Sequence, residues 1–404
     1  MNQLRRGRVQ GPLASFAVRF RQELADGGYA VRSAETHLLL MARLSRWLEQ
    51  TSLDPGELGV ARVEEFLRWN QAEGYRFPKS VRGAELLRGF LRGLGVGVIP
   101  GPPAPMLSAG EQLLARFRVY LGSERGLAPG TITNYVHAGR LLFQALPDRA
   151  GEFDLTTLSA ARVNEVVVQH RRGRSIAATK NLVNGLRWLL RFLYVEGITA
   201  IDLSGAVPTV AGWGGGGLPR GVDAGTVSRL LDSCDHNTAK GSRDFAILTV
   251  LIRLGLRVGE VAALDLDDID WSGGTVLVRG KANRLERLPL PTDVGQAVAS
   301  YLTTGRPGGG CRAVFLRVLA PHRRLTGGAV IVVVQAACQR AGLVPIAAHR
   351  LRHALASELL RRGAGLPEIG QLLRHRSAAV TSIYAKVDTV ALRGLAQPWP
   401  GGQS

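Results

Sequence analysis

Apolar residues recur along most of the chain at the spacing of amphipathic α-helices. In the C-terminal part this pattern predicts helices at residues 223–233, 243–254, 293–302, 329–341, 349–362, 367–373 and 377–386. Two strand-like runs at residues 275–279 and 285–290 predict an antiparallel hairpin, with residues 314–316 as a third strand. The predicted fold class is therefore mainly α with a small antiparallel β-sheet in the C-terminal domain.

A second regularity is a repeat within the N-terminal half. The pattern of residues 58–67 returns at residues 158–167, and residues 87–91 correspond to residues 189–193. This predicts the same helical unit twice, at residues 1–98 and 108–205, although two generic amphipathic segments could also match by chance. In the second unit we expect a helix at residues 131–142, capped by Thr131 or Thr133, and a late helix at residues 180–193.

Proline and glycine mark the predicted boundaries between these units. Residues 99–105 are rich in proline and predict a stiff spacer, whereas the linker at residues 206–219 is rich in glycine and predicts a flexible one. A third domain at residues 220–404 ends in a short apolar tail at residues 390–400. Docking of this tail on a neighbouring subunit and docking on its own domain both remain open.

The composition points to a polyanionic partner. The formal net charge is +19 and the isoelectric point is about 11.0, so attraction to a polyanion should depend on salt. The basic N-terminus is not followed by an apolar stretch, which predicts no signal peptide and no membrane span, and hence a cytoplasmic protein. The three cysteines have neither the number nor the spacing of a disulfide framework or a zinc site.

Two basic residues stand at positions that favour chemistry over general surface charge. Lys281 is one of only five lysines and lies in the turn of the predicted hairpin. A lysine with a lowered pKa gives up a proton near neutral pH, whereas an arginine does not. Arg257 follows a glycine-broken corner, which would hold its stem and leave its guanidinium facing a groove.

Four further candidates follow along the chain. His349 and Arg352 are three residues apart on a predicted helix, so both can reach one ligand. His375 and Tyr384 come next, while His353, His322 and Arg350 are interpreted as surface or supporting residues. Each of these residues taken alone is more typical of a surface or a core than of a catalytic site, and only their order along the chain is specific.

This ordered set resembles the catalytic residues of the tyrosine recombinases, also called phage-type integrases. The resemblance runs from about residue 221 to residue 386 and includes the Gly-Leu-Arg-Val-Gly-Glu motif around Arg257. One departure is Arg374, where the family usually has glycine before the histidine; we expect the arginine to be tolerated, because it can point to a phosphate. The second helical unit resembles the core-binding domain of the same family.

The chemistry of phosphodiester cleavage accounts for these residue types. Arg257 and Arg352 can hold the non-bridging oxygens of a phosphate, where charge develops in the transition state. Tyr384 is the candidate nucleophile, and His349 is the candidate acceptor of its proton. The resemblance implies that Lys281 protonates the leaving 5′ oxygen and that His375 donates a hydrogen bond to the phosphate. It also implies a 3′-phosphotyrosine intermediate, which needs no metal and no cofactor.

The resemblance further implies double-stranded DNA as the partner, bound by a homotetramer. Basic side chains that could contact phosphates are Arg140, Arg171, Arg172, Arg174, Lys180, Arg187 and Arg284. We therefore expect a site-specific DNA recombinase that mobilises or integrates a genetic element. The alternatives are a type IB topoisomerase, which shares the chemistry, and a catalytically silent DNA-binding protein of the same fold.

Overall fold

The computed structural model describes residues 9–75, 81–95, 108–149, 152–210, 222–280, 284–375, 377–382 and 384. By its internal contacts the chain divides into two compact units. One unit comprises Met1–Ile99 together with Gly215–Ser404, and the other comprises Pro100–Gly214. Helices dominate both units, and a three-stranded antiparallel sheet lies in the C-terminal part, so the predicted fold class is confirmed.

The N-terminal part of the first unit is a group of four helices with a core of its own. These are α1 (Ala17–Asp26), α2 (Val31–Thr51), α3 (Val60–Ala72) and α4 (Val81–Gly93). Aromatic side chains fill the space between them: Phe20 stacks obliquely on Phe90, and Trp47 meets Phe66. All four of these rings are buried, as expected for helices whose apolar faces converge.

The second unit repeats this plan with α5 (Ala109–Ser123), α6 (Pro129–Ala145), α7 (Ala160–Arg171) and α8 (Ile176–Val195), and a two-residue strand pair, Asp148–Arg149 with Glu152–Phe153. The predicted caps of α6 are wrong. The helix begins at Pro129, whose fixed φ suits the first helical position, and the preceding Ala128 makes no side-chain cap. Thr133 instead donates to the Pro129 carbonyl within the helix.

The two helical groups share the order of their four helices, with a 3₁₀ turn before the third helix of each. A short 3₁₀ turn, Pro55–Glu57, precedes α3, and the turn Leu155–Thr157 precedes α7. Each of the two helices carries an ion pair at the same place: Arg62 meets Glu65 at 2.6 Å and Arg162 meets Glu165 at 2.8 Å. The sequence similarity of residues 58–67 and 158–167 thus coincides with equivalent local structure.

The C-terminal part of the first unit is built around a buried helix. Its elements are α9 (Ala224–Asp232), α10 (Ala239–Arg253), α11 (Val258–Ala263), β3 (Ile269–Asp270), β4 (Thr275–Arg279), β5 (Leu285–Pro289), α12 (Thr292–Ser300), a π-helical turn (Tyr301–Gly305), α13 (Gly327–Arg340), α14 (His349–Arg361), α15 (Leu366–Leu372) and α16 (Ala378–Thr381). Helix α10 is buried all round, because α9, α12, α13 and α14 pack on it.

The sheet has the order β3, β4, β5, with Val276 opposite Leu288 and Arg279 opposite Leu285. The prediction of residues 314–316 as its third strand is wrong, because β3 occupies that place. Val314 and Phe315 are buried, and the Phe315 ring stacks on Tyr301 at 5.7 Å. The apolar run of residues 314–316 therefore serves core packing outside this sheet, with one isolated antiparallel bridge from Leu316 to Arg324.

Several predicted features fall on residues outside the described ranges. These are Lys281, the proline-rich spacer, the glycine-rich segment 211–219 and the apolar tail. The residues on either side of positions 281–283 are described, and the Gly280 N–H donates to the Arg284 carbonyl at 2.8 Å. Among the helices that the structure describes, none is long and apolar enough to cross a membrane.

Candidate active site

Arg257 stands at the N-terminus of α11, where Gly255 turns the chain with a φ of +58°. A Cβ atom on Gly255 would come within 3.0 Å of Leu355 and Leu373, so this corner also needs glycine for packing. The Arg257 guanidinium donates to Glu260 Oε1 at 2.6 Å, and its backbone N–H donates to Glu260 Oε2 at 2.9 Å. Its side chain stays 47% exposed, so the guanidinium is fixed on one side and open to a ligand on the other.

Arg352 projects from the first turns of α14 towards the same corner. Its guanidinium is buried and donates to the backbone carbonyls of Gly255 and Leu373, which fix its orientation. Burial, followed by the charges of Arg257 and Arg374, lowers the pKa of Arg352 to about 10. The group therefore remains protonated at neutral pH, and the two arginines form a pair of cations beside one groove.

Tyr384 is buried among apolar side chains of the last helices. It is only 1% exposed and packs with Ala356, Ile369 and Leu373. Its hydroxyl lies 2.7 Å from Nδ1 of His353. Burial raises the pKa of Tyr384, and the charge of Arg352 offsets this rise only in part. The phenol therefore needs a base to become a nucleophile near neutral pH.

His353, interpreted from the sequence as a surface or supporting residue, is not on the surface but contacts Tyr384. Its ring is half-buried, and burial, followed by His349 and Arg352, lowers the pKa of His353. With the ring neutral and Nδ1 unprotonated, the Tyr384 hydroxyl donates to Nδ1. His349, the predicted acceptor of the tyrosine proton, is exposed, and its ring centroid lies 5.6 Å from that of His353. The i, i+4 spacing of His349 and His353 places both on one helical face, and this spacing could have indicated from the sequence that His353 also faces the site.

His375 lies beside Tyr384 with nearly parallel rings, 6.2 Å between centroids and 7° between planes. Its Nδ1 lies 2.8 Å from the hydroxyl of Thr381, a buried residue that the sequence analysis did not single out. Burial, followed by the charges of Arg352 and Arg257, lowers the pKa of His375 to about 4. If Thr381 donates to Nδ1, the neutral ring carries its proton on Nε2, where it can be donated to a ligand.

Arg374 points into the protein, whereas the sequence analysis had this arginine free to point outward to a phosphate. Its side chain is 4% exposed, and Nη2 lies 2.8 Å from Glu260 Oε2. Burial raises the pKa of Glu260, but the Arg257 N–H together with the charges of Arg374 and Arg257 more than offsets this and leaves that pKa below its ordinary value. The buried carboxylate draws the guanidinium inward, since an unpaired buried charge is far less stable than a paired one.

The predicted DNA contacts lie outside this cluster and stay predictions. Arg171, Arg172, Arg174, Lys180 and Arg284 are exposed. The other two have partners within the protein: Arg140 forms a two-pronged ion pair with Glu111, and Arg187 donates to the carbonyls of Val207 and Pro208. An arginine already paired in this way would have to share or exchange its partner to bind a phosphate.

The site thus joins a phenol, neutral imidazoles and two fixed guanidinium groups. This combination suits nucleophilic attack on a phosphodiester, because the cations stabilise the charge that develops on the phosphate. Within the described ranges, no group of three or more His, Cys, Asp or Glu residues is arranged to hold a metal ion. The fold and site define the class of enzymes that transfer DNA strands through a tyrosine.

Comparisons with known proteins agree with this class. The model of the phage integrase family matches residues 221–390. The integrase/recombinase-type protein y4rA of Sinorhizobium fredii is 38% identical over 97% of this chain and 96% of its own length. The tyrosine recombinase XerD of Mycobacterium tuberculosis is 33% identical over 70% of this chain and 94% of its own length. The chain belongs to the phage integrase family, and it is accordingly an enzyme that breaks and rejoins DNA strands.

Solved structures share the fold. The lambda integrase tetramer bound to a Holliday junction has a TM-score of 0.54 and 18% identity, covering 74% of this chain and 85% of its own. The XerH site-specific recombinase bound to a palindromic difH substrate has a TM-score of 0.55 and 17% identity, covering 72% and 90%. The comparisons favour a recombinase over a type IB topoisomerase.

Proposed function

We propose that this protein is a site-specific recombinase that cuts DNA through a 3′-phosphotyrosine at Tyr384. The observation that carries the assignment is the hydrogen bond of the Tyr384 hydroxyl to a neutral histidine, in a pocket that also holds the buried Arg352. Leu373 packs on Tyr384 and gives its carbonyl to Arg352, so the nucleophile and a phosphate-binding cation share one wall.

The reaction exchanges one phosphodiester for another. The Tyr384 oxygen attacks phosphorus, a new O–P bond forms, and the bond from phosphorus to the 5′ oxygen breaks. The phenol proton passes to Nδ1 of His353, and the leaving oxygen takes a proton that the family resemblance assigns to Lys281. No net bond energy is lost, so strands are rejoined by reversal of the same steps with a different 5′ hydroxyl.

Arg257 and Arg352 bind the non-bridging oxygens, and His375 donates to the same phosphate from Nε2. Preorganisation supports this division of roles. Arg257 is held by Glu260, Arg352 by two carbonyls and His375 by Thr381, so none of the three must be ordered at the moment of reaction.

We further propose an oligomeric state, a location and a set of DNA contacts for this protein. The chain acts as a tetramer on double-stranded DNA, as the lambda integrase structure does on a Holliday junction, and it works in the cytoplasm on a mobile element. The exposed basic residues of α7, α8 and the loop between them, with Arg284, position the duplex through its phosphates. Mass measurement of the protein with and without a bound site tests the tetramer, because a lone DNA-bound monomer would contradict it.

The activity is tested on duplexes that carry the two ends of the element next to the gene, nicked so that the cleaved strand is trapped. The native protein should form an SDS-resistant adduct of protein and DNA, whereas Tyr384→Phe should bind the duplex and form none. Tyr194→Phe, at a half-exposed tyrosine of α8, is the matched control and should keep the adduct. An adduct formed by Tyr384→Phe would sink the assignment.

A further inference from the structure

The backbone at Arg374 has a conformation that disfavours any residue with a Cβ atom. Its φ is +54°, in the left-handed region, which glycine adopts without strain and residues with a Cβ atom adopt at an energetic cost. Of the residues that the structure describes, only Ser52 and Arg374 are non-glycine residues with positive φ. An arginine at this point, directly before His375, therefore calls for contacts that outweigh the backbone strain.

Those contacts join three separate elements of the site. The guanidinium meets Glu260 of α11 at 2.8 Å and donates to the Leu372 carbonyl at the end of α15 at 3.2 Å. Its Nε faces Glu286 of β5 at 3.6 Å, which is an ion-pair distance but too long for a hydrogen bond. Strand β5 follows residue 281 by four positions along the chain. One buried cation thus connects the corner of Arg257, the turn before His375 and the hairpin.

The position of Glu260 between two arginines has an electrostatic consequence. With Arg257 alone, the buried carboxylate would cancel the charge that Arg257 needs for a phosphate. Arg374 supplies a second cation on the opposite oxygen, so Glu260 can orient Arg257 while Arg257 keeps an uncompensated charge. The Arg374 guanidinium is directed to Glu260 and to the Leu372 carbonyl inside the protein, and its side chain is 4% exposed against 47% for Arg257.

We propose that Arg374 is a positioning residue for strand cleavage: it balances Glu260, so that Arg257 is held in place and remains a net cation, and it fixes the turn from which His375 projects. This inference rests on the proposed roles of Arg257 and His375. It assigns Arg374 no contact with DNA, so its loss should slow the chemical step and leave DNA affinity nearly unchanged.

The first test compares Arg374→Lys with Arg374→Gln. Both side chains have a Cβ atom and so the same backbone strain at this φ, and they differ mainly in charge. Single-turnover cleavage of the nicked duplex and equilibrium binding are measured for each. Arg374→Gln should cleave more slowly by up to about 10²-fold, as for a catalytic group displaced by about 1 Å, while binding DNA as the native protein does. Arg374→Lys should recover most of the rate. Equal rates for the two variants would overturn the proposal.

The second test is a double-mutant cycle between Arg374→Gln and Arg257→Ala. If Arg374 acts through Arg257, then Arg374→Gln should lose most of its effect on the rate once Arg257 is absent. Rate losses that multiply independently would overturn the proposal that Arg374 acts by balancing Glu260 beside Arg257. Arg374→Gly serves as a fold control, since glycine tolerates this φ. A native protein that forms no Tyr384 adduct would refute the proposed function itself, which is a different outcome.

Discussion

Nδ1 of His353 lies 2.7 Å from the hydroxyl oxygen of Tyr384, and the two residues approach from α14 and from the end of the described chain. The phenol is buried and the imidazole half-buried; burial lowers the pKa of the imidazole and raises that of the phenol, so both groups are neutral at neutral pH. The pair therefore has the geometry and the protonation states that a base and its nucleophile require before reaction.

His353→Ala should reduce the rate of adduct formation by about 10²-fold or more, the range of general base catalysis by a positioned side chain. The phenol would lose its proton acceptor, and its buried oxygen would lose its hydrogen-bond partner. Single-turnover cleavage of the nicked duplex measures the rate. His349→Ala is the matched control, one helical turn away and exposed, and should have the smaller effect on deprotonation. The reverse ranking would return the role of proton acceptor to His349.

Substitutions of Arg257 and Arg352 should have similar effects on cleavage but different effects on the stability of the fold. Either Arg257→Ala or Arg352→Ala should slow cleavage by about 10²-fold to 10³-fold, as for the loss of a donor to a developing charge. Arg352→Ala additionally leaves the carbonyls of Gly255 and Leu373 without a donor, at a cost to the free energy of unfolding of about 1–3 kcal/mol. Thermal unfolding should therefore show the larger loss for Arg352→Ala, and equal losses would argue against its buried role.

Acid should destabilise the site through His375. The folded pKa is about 4, below the ordinary 6.5, so between these values the unfolded chain binds more protons than the folded one. The stability contributed by the neutral ring is thus present above pH 6.5 and is lost as the pH falls towards 4. Thermal unfolding at a series of pH values should show a shallower fall for His375→Gln than for the native protein. Identical slopes would show that His375 titrates normally.

The N-terminal helices should be dispensable for the bond chemistry. Helices α1 to α4 enclose a core of their own, and a chain starting at Leu107 keeps Ser108, which caps α5. That truncation removes the hydrogen bond from the His322 N–H to the Gly27 carbonyl, at 3.0 Å, but no residue of the catalytic cluster. We expect the truncated protein to form the Tyr384 adduct on a short duplex. It should bind long sites more weakly and with a shallower salt slope.

Two results would contradict this view of the N-terminal unit. An unchanged salt slope and footprint after truncation would exclude it as a DNA contact. Failure of the truncated chain to fold would show that the remaining domains depend on it. Removal of residues 1–8 alone is a suitable control, because the deletion ends before the core residues Val9 and Leu13.

Sequence patterns predicted those elements that are long and apolar on one face. Helices α10 and α14 were expected at nearly their observed positions, because burial imposes the helical period on their apolar residues. Short elements were missed: β3 has only two residues, too few for a pattern, whereas the apolar run of residues 314–316 resembles a strand yet serves the core. The start of α6 was missed, since the helix begins at Pro129, ahead of the expected threonines, and its cap position is Ala128, which has no hydroxyl group.

The candidate site was predictable in its residue types and not in its pairings. Arg257, Arg352, His375 and Tyr384 converge as the resemblance implied, with Lys281 outside the described residues. Which histidine meets Tyr384 depends on how α14 is rotated against the last helices, and no linear pattern contains that angle. The inward course of Arg374 likewise depends on where Glu260 is buried, which follows only from the assembled fold.

Arg374, whose backbone lies in the left-handed region, also limits which substitutions this part of the site can accept. A single substitution to glycine would relax the backbone but remove one of the two cations that surround Glu260. A substitution of Glu260 would leave Arg374 charged and buried, with only the partly exposed Glu286 nearby. In this chain the two side chains therefore depend on each other: the carboxylate at residue 260 keeps the buried guanidinium at residue 374 paired, and that guanidinium gives the carboxylate its second cation.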